Sequence, residues 1–294
     1  MPAAPPRSLQ VITRVEEMRT AVRNFQRTGQ TVGFVPTMGA LHEGHLSLVD
    51  AAAAECDRVV ASIFVNPTQF GPQEDFTKYP RPLERDLELL GSRGCELAFV
   101  PEAAEMYPDG YGTSIDVGHV AQPWEGAARP GHFDGVATVV LKLFQCVPGD
   151  RAYFGRKDYQ QTLVVKRMVA DLNVPMEIRV CPIVRDADGL ALSSRNAYLS
   201  PGERQRALAL RQSLTLAEEM ITAGERNVAV IRQRMLALLT ATDGVNVEYV
   251  AIMRDGTVEE ARAAEGPLTI AVAARVGTTR LIDNVQIDLE SIRG

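Results

Sequence analysis

The sequence predicts an α/β chain, with an open parallel sheet in residues 1–185 and a smaller α+β domain in residues 186–294. Three observations lead there. Short apolar, β-branched runs alternate with amphipathic helical stretches through the first part, as β-α-β units do. The turn-forming cluster Asp186-Ala187-Asp188-Gly189 ends that alternation. Beyond it, two long helical stretches precede three strands, so the second sheet is expected to be mostly antiparallel.

The elements follow in order. Residues 31–36, Thr-Val-Gly-Phe-Val-Pro, read as a short buried strand closed by Pro36. A glycine-punctuated turn leads into a helix over 45–56, rich in alanine and leucine, and residues 58–65 form a second strand. Pro82, a favoured first-turn residue, opens a helix over 82–92, and a third strand covers 96–100. The pattern predicts a helix over 134–147, a strand over 151–154, a helix over 157–172 and a strand over 176–181. Helices over 201–223 and 228–242 and strands over 245–254, 268–274 and 279–289 complete the pattern. Residues 1–7 read as a loose tail, with no apolar stretch of signal-peptide length.

Composition narrows the function classes. At 294 residues and 46% hydrophobic, the chain can bury a large core without disulfide or metal staples. A formal net charge of -6 argues against a nucleic-acid partner, which needs phosphate neutralisation. An anionic substrate therefore requires a local cluster of positive groups. No uncharged apolar run approaches the ~18 residues of a bilayer span, so no membrane partner is expected. Cys56, Cys95, Cys146 and Cys181 are far apart and form no Cys-x-x-Cys pair, which points to reduced thiols and a cytoplasmic location.

The chemistry concentrates in Pro36-Thr37-Met38-Gly39-Ala40-Leu41-His42-Glu43-Gly44-His45, which joins the first strand to the first helix. In a parallel sheet that junction lies at the carboxyl edge of the strands, where ligands bind. A helix amino terminus offers free N–H groups and partial positive charge to phosphate. His42 and His45, three residues apart, can face one side and donate to phosphoryl oxygens as their charge grows. Gly44 removes a side chain where ligand approaches backbone. Ordinary turn histidines are the plainer reading. A zinc site is the other, although His-Glu-Gly-His is one residue short of the zinc-protease spacing.

Five further segments join the turn from Pro36: Phe-Val-Asn-Pro-Thr-Gln-Phe from Phe64, Lys-Tyr-Pro-Arg from Lys78, Arg-Pro-Gly-His-Phe from Arg129, Phe-Gly-Arg-Lys-Asp-Tyr-Gln-Gln from Phe154 and Gly-Leu-Ala-Leu-Ser-Ser-Arg-Asn from Gly189. Together the six resemble the pantoate–β-alanine ligases (pantothenate synthetases). The resemblance implies a Rossmann-like nucleotidyltransferase with a motif of the HIGH type, working as a homodimer with ATP and Mg²⁺. Pantoate's carboxylate would attack the α-phosphorus and pyrophosphate would leave; β-alanine would then displace AMP from pantoyl adenylate, giving pantothenate.

The resemblance also implies roles. His42 and His45 would contact ATP phosphates, His45 being the residue most expected to be essential, within a nucleotide turn of Met38, Gly39, Ala40, Leu41, Glu43 and Gly44. Gly155 and Asp158 would hold the ribose, with Arg156 beside them, and Lys157 would pair with phosphate as a point charge. Leu192-Ser193-Ser194-Arg195 is similar to the family's mobile nucleotide loop, and Val184 would line the adenine pocket. Gln69 and Gln161 resemble the glutamines that hold pantoate, with Asn66, Arg129 and His132 as further candidates, for β-alanine or for shaping the pocket. Asp86 would help place Mg²⁺. Two departures stand out: Leu192 replaces a frequent methionine, and Arg85 occupies a position where an acidic residue is frequent. The smaller domain is read as a lid closing over ATP. Two functions compete with the ligase: an adenylyltransferase acting on a phosphate-bearing acceptor, which would need cations where Gln69 and Gln161 stand, and a non-catalytic ATP-binding regulator.

Overall fold

A computed structural model describes residues 9–288, so the tail expected over residues 1–7 and the last residue of the strand expected over 279–289 lie outside the described residues. The chain divides into two compact units. The first holds the described residues of Met1–Ala121 together with Arg129–Arg156 and Val164–Pro182. The second takes Gln122–Ala128, Lys157–Leu163 and the described residues from Ile183 onward.

In chain order the elements begin β1 (Gln10–Ile12), α1 (Val15–Arg27), β2 (Val32–Thr37), α2 (Glu43–Glu55), β3 (Arg58–Ile63), α3 (Leu83–Ser92), β4 (Leu97–Phe99) and α4 (Ala103–Met106). They continue with α5 (Glu125–Ala128), α6 (His132–Cys146), β5 (Arg151–Gly155), α7 (Tyr159–Asp171) and β6 (Glu177–Cys181). The remainder is α8 (Pro201–Thr222), α9 (Val228–Thr240), β7 (Val245–Arg254), β8 (Leu268–Val276) and β9 (Thr279–Ile287).

The first unit carries a six-stranded sheet in the order β1-β4-β3-β2-β5-β6, parallel throughout. It is an α/β fold. Its strands are apolar at successive positions because both faces are covered. Phe34 of β2 joins Phe99, Phe144 and Phe154 in one core, while the next residue, Val35, joins Val49, Ala61 and Tyr153 in the other. The sequence pattern did not signal β1 and α1. β1 has three residues, and α1 starts without a side-chain cap and buries only Met18 and Val22. The order places β3 and β5 on opposite sides of β2, so the direction in which successive strands are added to the sheet reverses at the β2–β5 pair. Ligands bind outside the carboxyl ends of strands at such a point.

The second unit packs α8 and α9 against the antiparallel sheet β7-β8-β9, with Leu210, Leu214, Ile231 and Met235 meeting Ile252, Ile270 and Val272. A capping box starts α8: Ser200 Oγ accepts from Glu203 N–H at 3.3 Å, and Glu203 Oε2 accepts from Ser200 N–H at 2.9 Å. Glu125 is tied to this sheet, accepting both Arg280 guanidinium nitrogens at 2.7 and 2.8 Å and the Tyr249 hydroxyl at 3.1 Å. That buried pairing explains why residues so far apart in sequence share the second unit.

Candidate active site

At the carboxyl end of β2 the turn to α2 is held on every side. Thr37 Oγ1 donates to the Ser62 carbonyl at 2.7 Å and accepts from Gly39 N–H at 3.1 Å. Gly39 (φ +81) and Ala40 (φ +51) are both left-handed, a costly conformation for alanine. Asp86 compensates: one oxygen accepts from Ala40 N–H and the other from Leu41 N–H, each at 2.8 Å. A Cβ at Gly39 would stand 2.9 Å from Asp86 Oδ2, so only glycine admits the carboxylate this close. Burial raises the Asp86 carboxyl above its ordinary value, against the lowering pull of those two amides. Asp86, which the family resemblance implies helps place Mg²⁺, is 1% exposed, and both its oxygens accept from the backbone of the turn.

α2 begins two residues before the predicted start, because His42 caps it. His42 Nδ1 accepts from Gly44 N–H at 3.1 Å, which leaves the proton on Nε2 as a donor. The His42 and His45 rings lie 4.1 Å apart, centroid to centroid, inclined at 37°. The two imidazoles are thus brought together at the amino end of a 13-residue helix.

A second cluster of the first unit surrounds Gln69. Asn66 Nδ2 donates to Gln69 Oε1 at 3.0 Å and to the Gly135 carbonyl at 3.2 Å, while the Tyr107 hydroxyl donates to Asn66 Oδ1 at 2.7 Å. With its carbonyl occupied, the Gln69 amide is oriented as a donor; Nε2 lies 3.3 Å from Met38 Sδ. Gly135 lets α6 press on this segment, since a Cβ there would stand 2.4 Å from the Thr68 carbonyl oxygen. Arg129 and His132, expected to contact β-alanine or to shape the pocket, both bond the Gln69 carbonyl. Arg129 pairs with both Glu74 oxygens at 2.6 and 2.7 Å and meets His132 Nε2 at 2.9 Å, and His132 Nδ1 donates to the Gln69 carbonyl at 2.8 Å. Burial works against the charged Glu74, but the Arg129 hydrogen bonds outweigh it and hold the carboxyl at about 2. Sequence reasoning missed Glu74, Tyr107 and Gly135. Glu74 lies between two motifs with no periodicity to mark it, and Tyr107 follows a four-residue helix that no pattern announced.

Gly155 and Arg156 leave the carboxyl end of β5, the neighbour of β2, and a Cβ at Gly155 would meet nothing within 4 Å. In the second unit, Lys157 Nζ pairs with Asp158 Oδ1 at 3.0 Å. Gln161 follows in the first turn of α7, half-buried. Val184 and Leu192 are the two ends of a tight hairpin: Leu192 N–H donates to the Val184 carbonyl at 3.0 Å, and Arg185 bridges to Ala191. Arg204 holds its turn through Asp186 at 2.7 Å and Asp188 at 3.0 Å. The loop expected at residues 192–195 is a short 3₁₀ helix, Ser194–Tyr198, capped by Ser193, whose Oγ accepts from Arg195 N–H at 3.3 Å.

Comparison with known proteins bears on this site. The family profile described as pantoate-beta-alanine ligase matches residues 10–286. The pantothenate synthetase of Roseiflexus sp. is 54% identical over 280 residues, covering 95% of this chain and 100% of the relative. That of Moorella thermoacetica is 51% identical, with 96% and 99% covered. A crystal structure of pantothenate synthetase from Thermus thermophilus is similar with a TM-score of 0.89 at 48% identity, covering 94% of this chain and 98% of the other. A pantoate-beta-alanine ligase from Francisella tularensis, complexed with beta-gamma ATP and β-alanine, is similar with a TM-score of 0.77 at 34% identity, with 94% and 97% covered.

Proposed function

The chain belongs to the pantoate–β-alanine ligase family, and on that footing we infer how its residues divide the work of joining pantoate to β-alanine with ATP. The pantoate carboxylate, with a pKa near ~4, is ionised at neutral pH and needs no base to attack the α-phosphorus. Catalysis of adenylation then rests on positioning and on charge stabilisation at phosphorus. His42 and His45 supply the stabilisation, donating from the helix tip as charge builds on the phosphoryl oxygens. The single observation that carries this reading is their 4.1 Å pairing at the carboxyl edge of β2.

In the same reading Met38–His45 backbone and the turn at Gly155 and Arg156 receive the nucleotide, Asp158 takes the ribose hydroxyls and Val184 the adenine. Lys157, Ser193, Ser194 and Arg195 contact phosphates, with Leu192 packing beside them. Gln69 and Gln161 hold pantoate, whose hydroxyls and carboxylate suit neutral amides; Asn66 sets the Gln69 amide, and Arg129 and His132 fix its backbone. Mg²⁺ is taken as part of the Mg-ATP substrate, where it offsets triphosphate charge. Among the described residues no group of three or more His, Cys, Asp or Glu is arranged to hold a metal ion. The family resemblance supports a homodimer, and four free cysteines support a reducing cytoplasm. Among the described residues no helix is long and apolar enough to cross a membrane. The second unit is proposed to act as a lid that shields the adenylate from water.

Supplying the full chain with pantoate, β-alanine and Mg-ATP tests the reading. AMP and pantothenate in equal amounts are expected. ATP turnover without pantothenate, or with a phosphate-bearing acceptor in place of pantoate, would give the adenylyltransferase alternative the better claim.

A further inference from the structure

Two adjacent residues of β9, Asp283 and Asn284, are buried polar side chains, 3% and 2% exposed. They pair with Val272 and Ala271 of β8, and among the described residues β9 is an edge strand of its sheet. Successive side chains of a strand point to opposite faces, and these two reach different segments of the second unit. Asp283 receives Arg185 as a fork, NH1 to Oδ2 at 2.7 Å and NH2 to Oδ1 at 2.9 Å. The same guanidinium donates to the Gly189 carbonyl at 3.0 Å and the Asn284 carbonyl at 3.2 Å. Asn284 Nδ2 donates to the Lys157 carbonyl at 2.9 Å, and Asn284 N–H returns to Asp283 Oδ1 at 2.7 Å.

Each partner is the root of a segment assigned to the nucleotide. Arg185 follows Val184 and is bridged to Ala191, so fixing its guanidinium fixes the hairpin that delivers Leu192 to Arg195. The Lys157 carbonyl sits on the residue whose ammonium is assigned to phosphate. A bidentate arginine–carboxylate pair fixes direction as well as distance, which a single contact does not. We propose that Asp283 and Asn284 are positioning residues for ATP, one strand edge holding the Lys157 segment and the 184–195 hairpin in a fixed mutual register. The proposal rests on the assignment of those two segments to ATP. It requires that loosening either hold weakens nucleotide capture while leaving the pantoate side of the reaction alone.

The test compares steady-state constants for all three substrates in full-length Asp283→Asn, Asn284→Ala and Arg185→Lys. Arg185→Lys keeps the charge but loses the fork, and it carries the test if Asp283→Asn does not fold. Gln286→Ala, on the same strand but bonded to Asp255 at 2.6 Å, is the control. The KM for ATP should rise about tenfold in the three variants, with those for pantoate and β-alanine within about twofold and the control unchanged. An unmoved ATP constant in the folded variants overturns the proposal, as does a parallel rise in all three constants, which marks general loosening. Lys157→Ala and Arg195→Ala separate the two levels. If these leave the ATP constant unchanged the site assignment itself fails; if they raise it while the β9 variants do not, only the positioning role fails.

Discussion

Asp86 and Ala40 are joined by a 2.8 Å hydrogen bond from the Ala40 amide to a buried carboxylate oxygen, at the residue where the nucleotide turn passes through left-handed backbone. The bond gives Asp86 a structural reason to be buried: it holds the shape of the turn.

Asp86→Ala removes both acceptors and leaves two buried N–H groups, and should cost about 2–4 kcal/mol of stability. In folded protein the KM for ATP should rise by about tenfold or more, with Asp86→Asn intermediate because its amide keeps one acceptor. Denaturant unfolding and initial-rate assays measure the two effects. A Asp86→Ala variant with normal ATP affinity at saturating Mg²⁺ contradicts the positioning role.

The Glu74–Arg129 pair makes a pH-dependent claim. Its folded carboxyl titrates at about 2 against an ordinary 4.5, so the stability it contributes is complete above pH 4.5 and is lost as pH falls toward 2. Glu74→Gln should destabilise by about 1–3 kcal/mol at neutral pH, between the ranges for exposed and buried pairs. The gap from the parent protein should narrow between pH 4.5 and 3. A gap that stays constant over that interval assigns the effect to packing.

Gly135 tests the packing behind Gln69. A Cβ 2.4 Å from a backbone carbonyl oxygen forces α6 and the Asn66–Gln69 segment apart. Gly135→Ala should therefore cost about 1–3 kcal/mol despite the better helix propensity of alanine. Its KM for pantoate should rise more than that for ATP. Equal stability of the two proteins in thermal melts would show that the helix can shift at no cost.

Much of this was legible in the residues. The β2-turn-α2 unit announced itself through an apolar strand, glycines and the amino-terminal histidines, because local chemistry decides each step there. The antiparallel second sheet was legible for the same reason, from alternation and turn residues. What sequence did not disclose is tertiary. Nothing in the letters around His132 shows that its Nδ1 donates to the carbonyl of Gln69, 63 residues away. Asp86 looks like one carboxylate of an exposed helix beside Glu84 and Glu88, and only the packing of α3 shows it turned toward Ala40 and Leu41. β1 and α1 were silent because so few of their residues are buried.

The most direct measurement is pantoate-dependent pyrophosphate release by His45→Ala, under single-turnover conditions with Mg-ATP saturating. The paired imidazoles at the tip of α2 predict a rate at least ~100-fold below the parent, the size of a lost transition-state donor, with ATP still bound. Release at the parent rate would contradict the assignment of that helix tip to the chemistry of adenylation.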